Sequence, residues 1–169
     1  MKGLDFRLVD EFAFGKIDRK EFLERNDCNL TFAELIELSL LCKIEGNNRR
    51  FEVLCWHVPK RISQKEKEVF YRWLLSEDWH QTHEEVVGAF QQVFNHTPEN
   101  IAYIKWAMEH VPNYLSGRDV KASYLRKCMY ALAAQPQPAA THALQALQDA
   151  EDETISKLAS DQLTRLAGR

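Results

Sequence analysis

Histidine and carboxylate side chains come closest together in the segment His80-Gln81-Thr82-His83-Glu84. Imidazole nitrogens and carboxylate oxygens are zinc ligands, and two histidines three residues apart could approach one ion. Zinc-binding helices usually carry their histidines four residues apart, however, no third ligand is evident in the sequence, and Thr82 is placed to cap a helix. We therefore predict no metal site and expect this segment to contact a partner or to face solvent.

The four cysteines, Cys28, Cys42, Cys55 and Cys128, include no pair closer than thirteen residues. This spacing excludes a CxxC redox motif and a zinc knuckle, and buried free thiols are the ordinary state of such residues. The sequence also contains no glycine-rich phosphate loop and no recognisable nucleophile with its base. We therefore predict that the protein is not an enzyme and needs no cofactor.

Net charge argues against a nucleic-acid partner. The chain has 22 Lys and Arg residues against 25 Asp and Glu residues, a net charge of −3, without the cationic excess that phosphate-backbone contacts require. Charge is nevertheless uneven, because residues 73–113 carry a local charge of −5 and residues 114–135 one of +3. An acidic surface of this kind can steer a basic protein partner, and the alternative is an ordinary solvated surface.

The N-terminal segment gives no export signal. It is charged at Lys2, Asp5 and Arg7 and has no apolar run of signal-peptide length. The segment 18–23 resembles a twin-arginine box but has Lys20 in place of the second arginine. No run approaches the roughly 18 uninterrupted apolar residues of a membrane span, so we expect a cytoplasmic protein that does not bind membranes.

Helix-start signals recur along the chain. In a capping box, the side-chain oxygen of Ser or Thr accepts from a backbone N–H while a Glu three positions later reaches back. Thr97 before Pro98 marks another start, because the missing N–H of proline costs nothing at the first helical position. The capping pattern is present at Thr31–Glu34, Ser63–Glu66 and Thr82–Glu85, with a weaker case at Asp18–Glu21.

Apolar residues between these signals recur at helical spacing and predict an all-α fold of antiparallel helix pairs. Phe51–Val58 could support a short strand, but its neighbours favour a helix. We expect a single domain, 1–169, in which residues 1–60 form irregular helices and residues 61–169 form helix pairs. The predicted helices are 4–14, 18–25, 31–44, 49–57, 64–76, 82–95, 98–110, 119–134, 138–149 and 153–167.

The last three helix pairs show an irregular internal repeat. The final unit, Ala139–Gly168, resembles a HEAT repeat of the short bacterial type, also called the phycobilisome-lyase HEAT-like repeat: a helix, an acidic turn, and a helix with inward Ile, Ala and Leu. The resemblance is looser over Trp79–Ala134, and it implies a short α-solenoid that presents an extended binding surface. Aligning the second helices matches Val86, Ala89 and Phe90 with Cys128, Ala131 and Leu132, and then with Ala159 and Leu163.

Some HEAT-like proteins are enzymes, which leaves two enzymatic alternatives. Deoxyhypusine hydroxylase holds two irons through several His-Glu dipeptides, whereas this sequence has only His83-Glu84 and the reversed pair Glu109-His110. Bilin-lyase activity would rest on the fold alone. Both alternatives are less favoured than binding.

A small, acidic HEAT-like protein without a catalytic constellation resembles the immunity proteins of bacterial polymorphic toxin systems, including contact-dependent inhibition. This resemblance implies stoichiometric binding to a cognate toxin domain, often a basic nuclease, whose active site is covered. Carboxylates would pair with toxin cations while aromatic side chains supply buried area. The alternative among binding proteins is a general HEAT-like adaptor. We expect the partner contacts at Asp78, Trp79, His83, Glu84, Glu85, Tyr114 and Asp119.

Overall fold

The computed structural model describes residues 4–168, and this range contains ten α-helices, one 3₁₀ turn and no β-strand. The predicted all-α fold is confirmed, and the ambiguous segment Phe51–Val58 is helical over most of its length. Lys2, used above in the export prediction, lies outside the described residues. The helices are α1 Phe6–Ala13, α2 Arg19–Arg25, α3 Phe32–Glu45, α4 Asn48–Trp56, α5 Gln64–Leu75, α6 His83–Gln92, α7 Asn100–Glu109, α8 Arg118–Ala133, α9 Ala139–Leu147 and α10 Glu153–Ala167, with the 3₁₀ turn at Asn113–Leu115.

Two of the predicted capping boxes form as expected. The Thr31 hydroxyl accepts from the amide of Glu34 at 3.3 Å, and the Glu34 carboxylate accepts from the amide of Thr31 at 2.8 Å. Ser63 and Glu66 make the same reciprocal pair at 3.2 and 2.7 Å. These caps involve groups three residues apart, so local sequence is sufficient to specify them.

The weaker start at Asp18–Glu21 also forms, since the Asp18 carboxylate accepts from the amide of Glu21 at 2.8 Å. Two further predicted starts are wrong in detail. Thr82 precedes α6 but makes no side-chain capping bond, and the amide of His83 at the helix start donates to the hydroxyl of Tyr114 at 3.1 Å. Helix α7 begins at Asn100 and not at Pro98. The two residues before it form a turn in which the amide of Asn100 bonds to the Thr97 carbonyl at 3.1 Å.

The chain divides into two compact units. Unit 1 contains α1–α4, α5 as far as Phe70, and Trp79–Gln81. In unit 1, α4 packs against α1 and α3, and Arg50 of α4 binds Asp10 of α1 through two bonds of 3.0 and 2.9 Å. Lys60 follows α4 and donates to two backbone carbonyls, and burial lowers its pKa to about 8.

Unit 2 contains the rest of α5, residues as far as Asp78, and the chain from Thr82 onward. Helix α8 lies at its centre and contacts α6, α7, α9, α10 and the 3₁₀ turn. The second helices of the three predicted pairs pack in succession, α6 against α8 and α8 against α10. The aligned residues Val86, Phe90, Cys128, Ala131, Leu132 and Ala159 are all buried, and Ala89 and Leu163 are half-buried.

The cysteines are free thiols, as expected: Cys42, Cys55 and Cys128 are buried and Cys28 is half-buried. Among the helices of residues 4–168, none combines the length and apolar character that a membrane crossing requires.

A buried polar network joins the ends of three helices in unit 2. The Gln135 amide follows α8 and donates to the carbonyls of Phe90 and Ala131, both at 2.9 Å. Asn100 is the first residue of α7. Its side-chain amide nitrogen donates to the Phe94 carbonyl at 2.8 Å, and its side-chain oxygen accepts from Arg72 at 2.6 Å. Asn100 and Gln135 are 0% and 2% exposed. Their amide groups therefore supply the hydrogen bonds that water cannot give to the unpaired backbone carbonyls at the end of α6.

We predict that Gln135→Leu lowers the free energy of unfolding by about 1–3 kcal/mol, because the Phe90 carbonyl would be buried without a donor. Urea denaturation checks this value. Gln145→Leu is the matched control, since Gln145 is an exposed residue of α9, and a surface change should stay within about 0.5 kcal/mol of wild type. Equal effects of the two substitutions would contradict the role assigned to this network.

Candidate functional site

Tyr114 is an exposed aromatic side chain whose hydroxyl is held by hydrogen bonds to a buried residue. It lies on the 3₁₀ turn and is 38% exposed. Its hydroxyl lies 3.1 Å from the amide of His83 and 3.2 Å from the Nδ1 atom of the same residue. The second ring nitrogen, Nε2, lies 2.7 Å from the carbonyl of Glu77. His83 is 1% exposed, so it connects Tyr114 to the segment that follows α5.

The hydrogen-bond partners of His83 determine its tautomer. A carbonyl can only accept, so Nε2 carries the proton and donates to Glu77. The unprotonated Nδ1 then accepts from the Tyr114 hydroxyl, whose oxygen in turn accepts from the His83 amide. Burial lowers the pKa of His83, while its bond to Glu77 and the charge of Asp78 oppose that shift. The neutral ring is therefore the form that holds Tyr114.

The 3₁₀ turn holds Tyr114 at the surface because the residues around it are anchored. Pro112 and Leu115 are buried on either side of the exposed pair Asn113 and Tyr114. The turn packs against α8, and the amide of Ser116 bonds to the Asn113 carbonyl at 3.1 Å. The backbone carrying Tyr114 is thus held by a buried leucine and by its own hydrogen bond.

Of the four candidate carboxylates, one forms an ion pair and the other three are exposed. Glu84 of α6 accepts from Lys127 of α8 at 2.8 Å. This pair joins the acidic and basic stretches of the sequence, because α6 and α8 are neighbours. Asp78, Glu85 and Asp119 are exposed and form no ion pair in the part of the chain that the structure describes. They are the candidate carboxylates that remain available to a partner.

Trp79 lies in unit 1, whereas the other candidate contacts lie in unit 2. Its ring packs edge-on against Phe51, with centroids 4.6 Å apart, and against His80 at 5.5 Å. Its indole nitrogen is buried without a hydrogen-bond partner. Trp79 therefore takes part in packing within unit 1.

The histidines of the His80–Glu84 segment have structural partners. Both ring nitrogens of His83 are engaged by Glu77 and Tyr114. The ring of His80 packs on Phe51 at a centroid distance of 5.4 Å. Within residues 4–168, no group of three His, Cys, Asp or Glu side chains is close enough to hold a metal ion.

Sequence reasoning missed the connection between Tyr114 and His83, because it joins residues 31 positions apart. It also missed the stacking of the half-buried Trp106 on the exposed His110, at a centroid distance of 4.1 Å. An i, i+4 aromatic spacing on α7 is the sequence signal that indicates this second contact.

Comparison with known proteins adds no relative. No family model matches the chain, and neither the curated proteins nor the solved structures gave a match.

We predict that His83 makes stability dependent on pH. Because its folded-state pKa lies below the unfolded value of about 6.5, its contribution is complete above that pH and is lost as the pH falls toward the folded value. His83→Gln should therefore flatten the decrease in unfolding free energy between about pH 7 and pH 5, measured by urea denaturation.

Burial also lowers the pKa of His57, so His57 contributes to the pH dependence of stability in both proteins. The informative quantity is therefore the difference between H83Q and wild type in the slope of unfolding free energy against pH. His142→Gln, at an exposed position of α9, is the control and should keep the wild-type slope. The interpretation fails if H83Q and wild type lose stability in parallel.

Proposed function

We propose that this chain is an immunity protein that binds a cognate bacterial toxin domain, a nuclease, and covers its active site stoichiometrically. The observation that carries the proposal is that Tyr114 is exposed while its hydroxyl is hydrogen-bonded to the buried His83. Interface hot spots are enriched in tyrosine, and an aromatic side chain held in place before binding loses little conformational entropy on association. Tyr114 is therefore the central contact in the proposal.

Exposed carboxylates close in sequence to Glu77, His83 and Tyr114 support a basic partner. Asp78 follows the residue whose carbonyl binds His83, Glu85 lies two positions after His83, and Asp119 lies in the first turn of α8. A nuclease cleft that binds phosphates is lined with cations, and carboxylates can occupy the same positions. Glu84 contributes less to this attraction because Lys127 already neutralises it.

His83 and Trp79 have indirect parts in this proposal. His83 is buried and acts by positioning Tyr114, so it does not itself touch the toxin. Trp79 packs on Phe51 in unit 1, and its contact with a partner carries less weight than those of the unit 2 residues.

The proposal also describes unit 2 as a short HEAT-like α-solenoid. In such a stack each helix pair contacts its neighbours, and the last pair ends in a polar face. The succession α6, α8 and α10, together with the contact between α7 and α9, supports this arrangement. The groove on α9 and α10 combines four polar residues with three apolar ones: Thr141, Gln145, Gln148 and Thr164, and Leu163, Leu166 and Ala167. A solenoid of this kind would act in the cytoplasm, where a nuclease toxin reaches its substrate.

The first experiment identifies the partner from the neighbouring gene. We expect the open reading frame immediately upstream to encode a large secreted protein with a variable C-terminal domain. Expression of that domain alone should arrest growth, and co-expression of this chain should restore it. Continued arrest despite soluble co-expression would contradict the immunity function, whereas binding without any toxicity would favour the general adaptor.

We predict that Tyr114→Ala weakens binding to that toxin domain at least about 30-fold, the effect of losing a hot spot of about 2 kcal/mol. Isothermal titration calorimetry measures the affinity and should give one toxin domain per chain. Tyr103→Ala is the matched control, since Tyr103 is 39% exposed on α7. Unchanged affinity of Y114A, with a loss confined to Y103A, would place the interface elsewhere.

We also predict that the double substitution Asp78→Lys and Glu85→Lys lowers the association rate at least about tenfold at low salt, because it reverses the charge that steers a basic partner. Stopped-flow mixing measures this rate, and the difference from wild type should shrink toward about 0.5 M NaCl. Glu24→Lys with Glu37→Lys, at exposed positions of α2 and α3, is the control of equal charge change. A rate that falls equally in both double variants would assign the effect to net charge.

A further inference from the structure

Helix α10 carries an alternating row of charges at four-residue intervals: Glu153, Lys157, Asp161 and Arg165. All four side chains line one groove of about 600 Å³, whose other wall is formed by α8. Residues four apart form a continuous ridge on a helix surface. The ridge of α10 therefore presents its charges in the order negative, positive, negative, positive.

The charges of this ridge are accessible. All four residues are exposed, and Glu153, Lys157 and Asp161 form no ion pair within the described range 4–168. Arg165 donates to the hydroxyl of Tyr130 on α8 at 2.8 Å, and its guanidinium lies 5.7 Å from the centre of that ring. This contact holds one end of the ridge in place while leaving donors of Arg165 available.

We propose that the α10 ridge binds the α10 ridge of a second copy of this chain in antiparallel orientation. Reversing the direction of the second helix places Arg165 opposite Glu153 and Asp161 opposite Lys157. The two-fold axis repeats both pairs, so the dimer contains four ion pairs and no juxtaposed like charges along the ridge. Such self-complementarity is what a two-fold symmetric interface requires of a single surface.

The alternation of charge favours a second copy over a simple anion. Three cations line the groove, Arg126 on α8 and Lys157 and Arg165 on α10. Glu153 and Asp161 lie among them and would repel a phosphate or a uniformly acidic peptide. A matching partner needs alternating charges at the same spacing in the reverse direction, and α10 itself meets that requirement.

Packing is compatible with this arrangement. Ridges of residues four apart on two helices interdigitate at the commonest helix crossing angle, about −50°. Leu158 is half-buried in the same groove, near the middle of the ridge, where it would meet its symmetry mate. Because exposed ion pairs contribute little individually and are screened by salt, we expect a weak and salt-sensitive dimer. The proposal is independent of toxin binding, which is assigned to residues 78–119.

Sedimentation equilibrium of the full chain tests the proposal with charge-reversal variants. At about 50 mM NaCl, where screening is modest, wild type should show a monomer–dimer equilibrium, and its dissociation constant should rise at least about fivefold at 0.5 M NaCl. Lys157→Asp and Asp161→Lys should each be monomeric, because each places like charges opposite one another in the homodimer. An equimolar mixture of the two variants should dimerise, since every facing pair is then complementary. The double variant K157D/D161K should also dimerise.

Lys20→Asp is the matched control, because Lys20 is an exposed helical lysine with an acidic neighbour four residues on, at 3.9 Å. It should dimerise like wild type. Circular dichroism of each variant verifies that α10 remains folded. A wild-type chain that stays monomeric up to about 1 mM at low salt, where steering charges are least screened, would overturn the proposal. So would single variants that dimerise normally or whose mixture fails to associate.

Discussion

The open backbone groups at both ends of helix α6 constrain the arrangement of unit 2. A helix leaves amides unpaired at its start and carbonyls unpaired at its end, and burying such groups without partners costs free energy. At the start of α6 the amide of His83 bonds to the Tyr114 hydroxyl. At its end the Phe90 carbonyl bonds to Gln135, and the Phe94 carbonyl beyond it bonds to Asn100. Residues from three other segments thereby fix this ten-residue helix.

This constraint connects stability with the proposed binding site. Tyr114 satisfies the start of α6 and also presents part of its ring to solvent, so the same contact that holds the helix orients the exposed aromatic side chain. The neutral ring of His83 links Tyr114 to the Glu77 carbonyl, which extends the support to the segment after α5. A tyrosine anchored in this way is suited to recognition because its orientation does not have to be selected on binding.

The packing of the helices rearranges the charges that the sequence separates. The acidic stretch that includes α6 lies against the basic α8, and Glu84 pairs with Lys127 across that contact. Lys121 of α8 likewise pairs with Asp152, the capping residue of α10, at 3.1 Å. The exposed charges outside these pairs include the carboxylates Asp78, Glu85 and Asp119 and the alternating ridge of α10, which differ in the kind of charge complementarity that they offer.

The sequence by itself determined the class of fold and the positions of the helices, because apolar periodicity and caps such as Thr31–Glu34 depend on groups within a few residues of one another. It also indicated the repeated apolar column from Val86 to Ala159, since burial follows the period of the helix. Only the tertiary structure decided which side chains satisfy the two ends of α6 and that Tyr114 is held by His83. The bonds responsible join residues 31 and 45 positions apart, and no local pattern encodes a partner at that separation. The first amide of α6 bonds to Tyr114 although the sequence predicted a cap at Thr82. A buried helix end can be satisfied by any donor or acceptor that the fold brings within hydrogen-bonding distance.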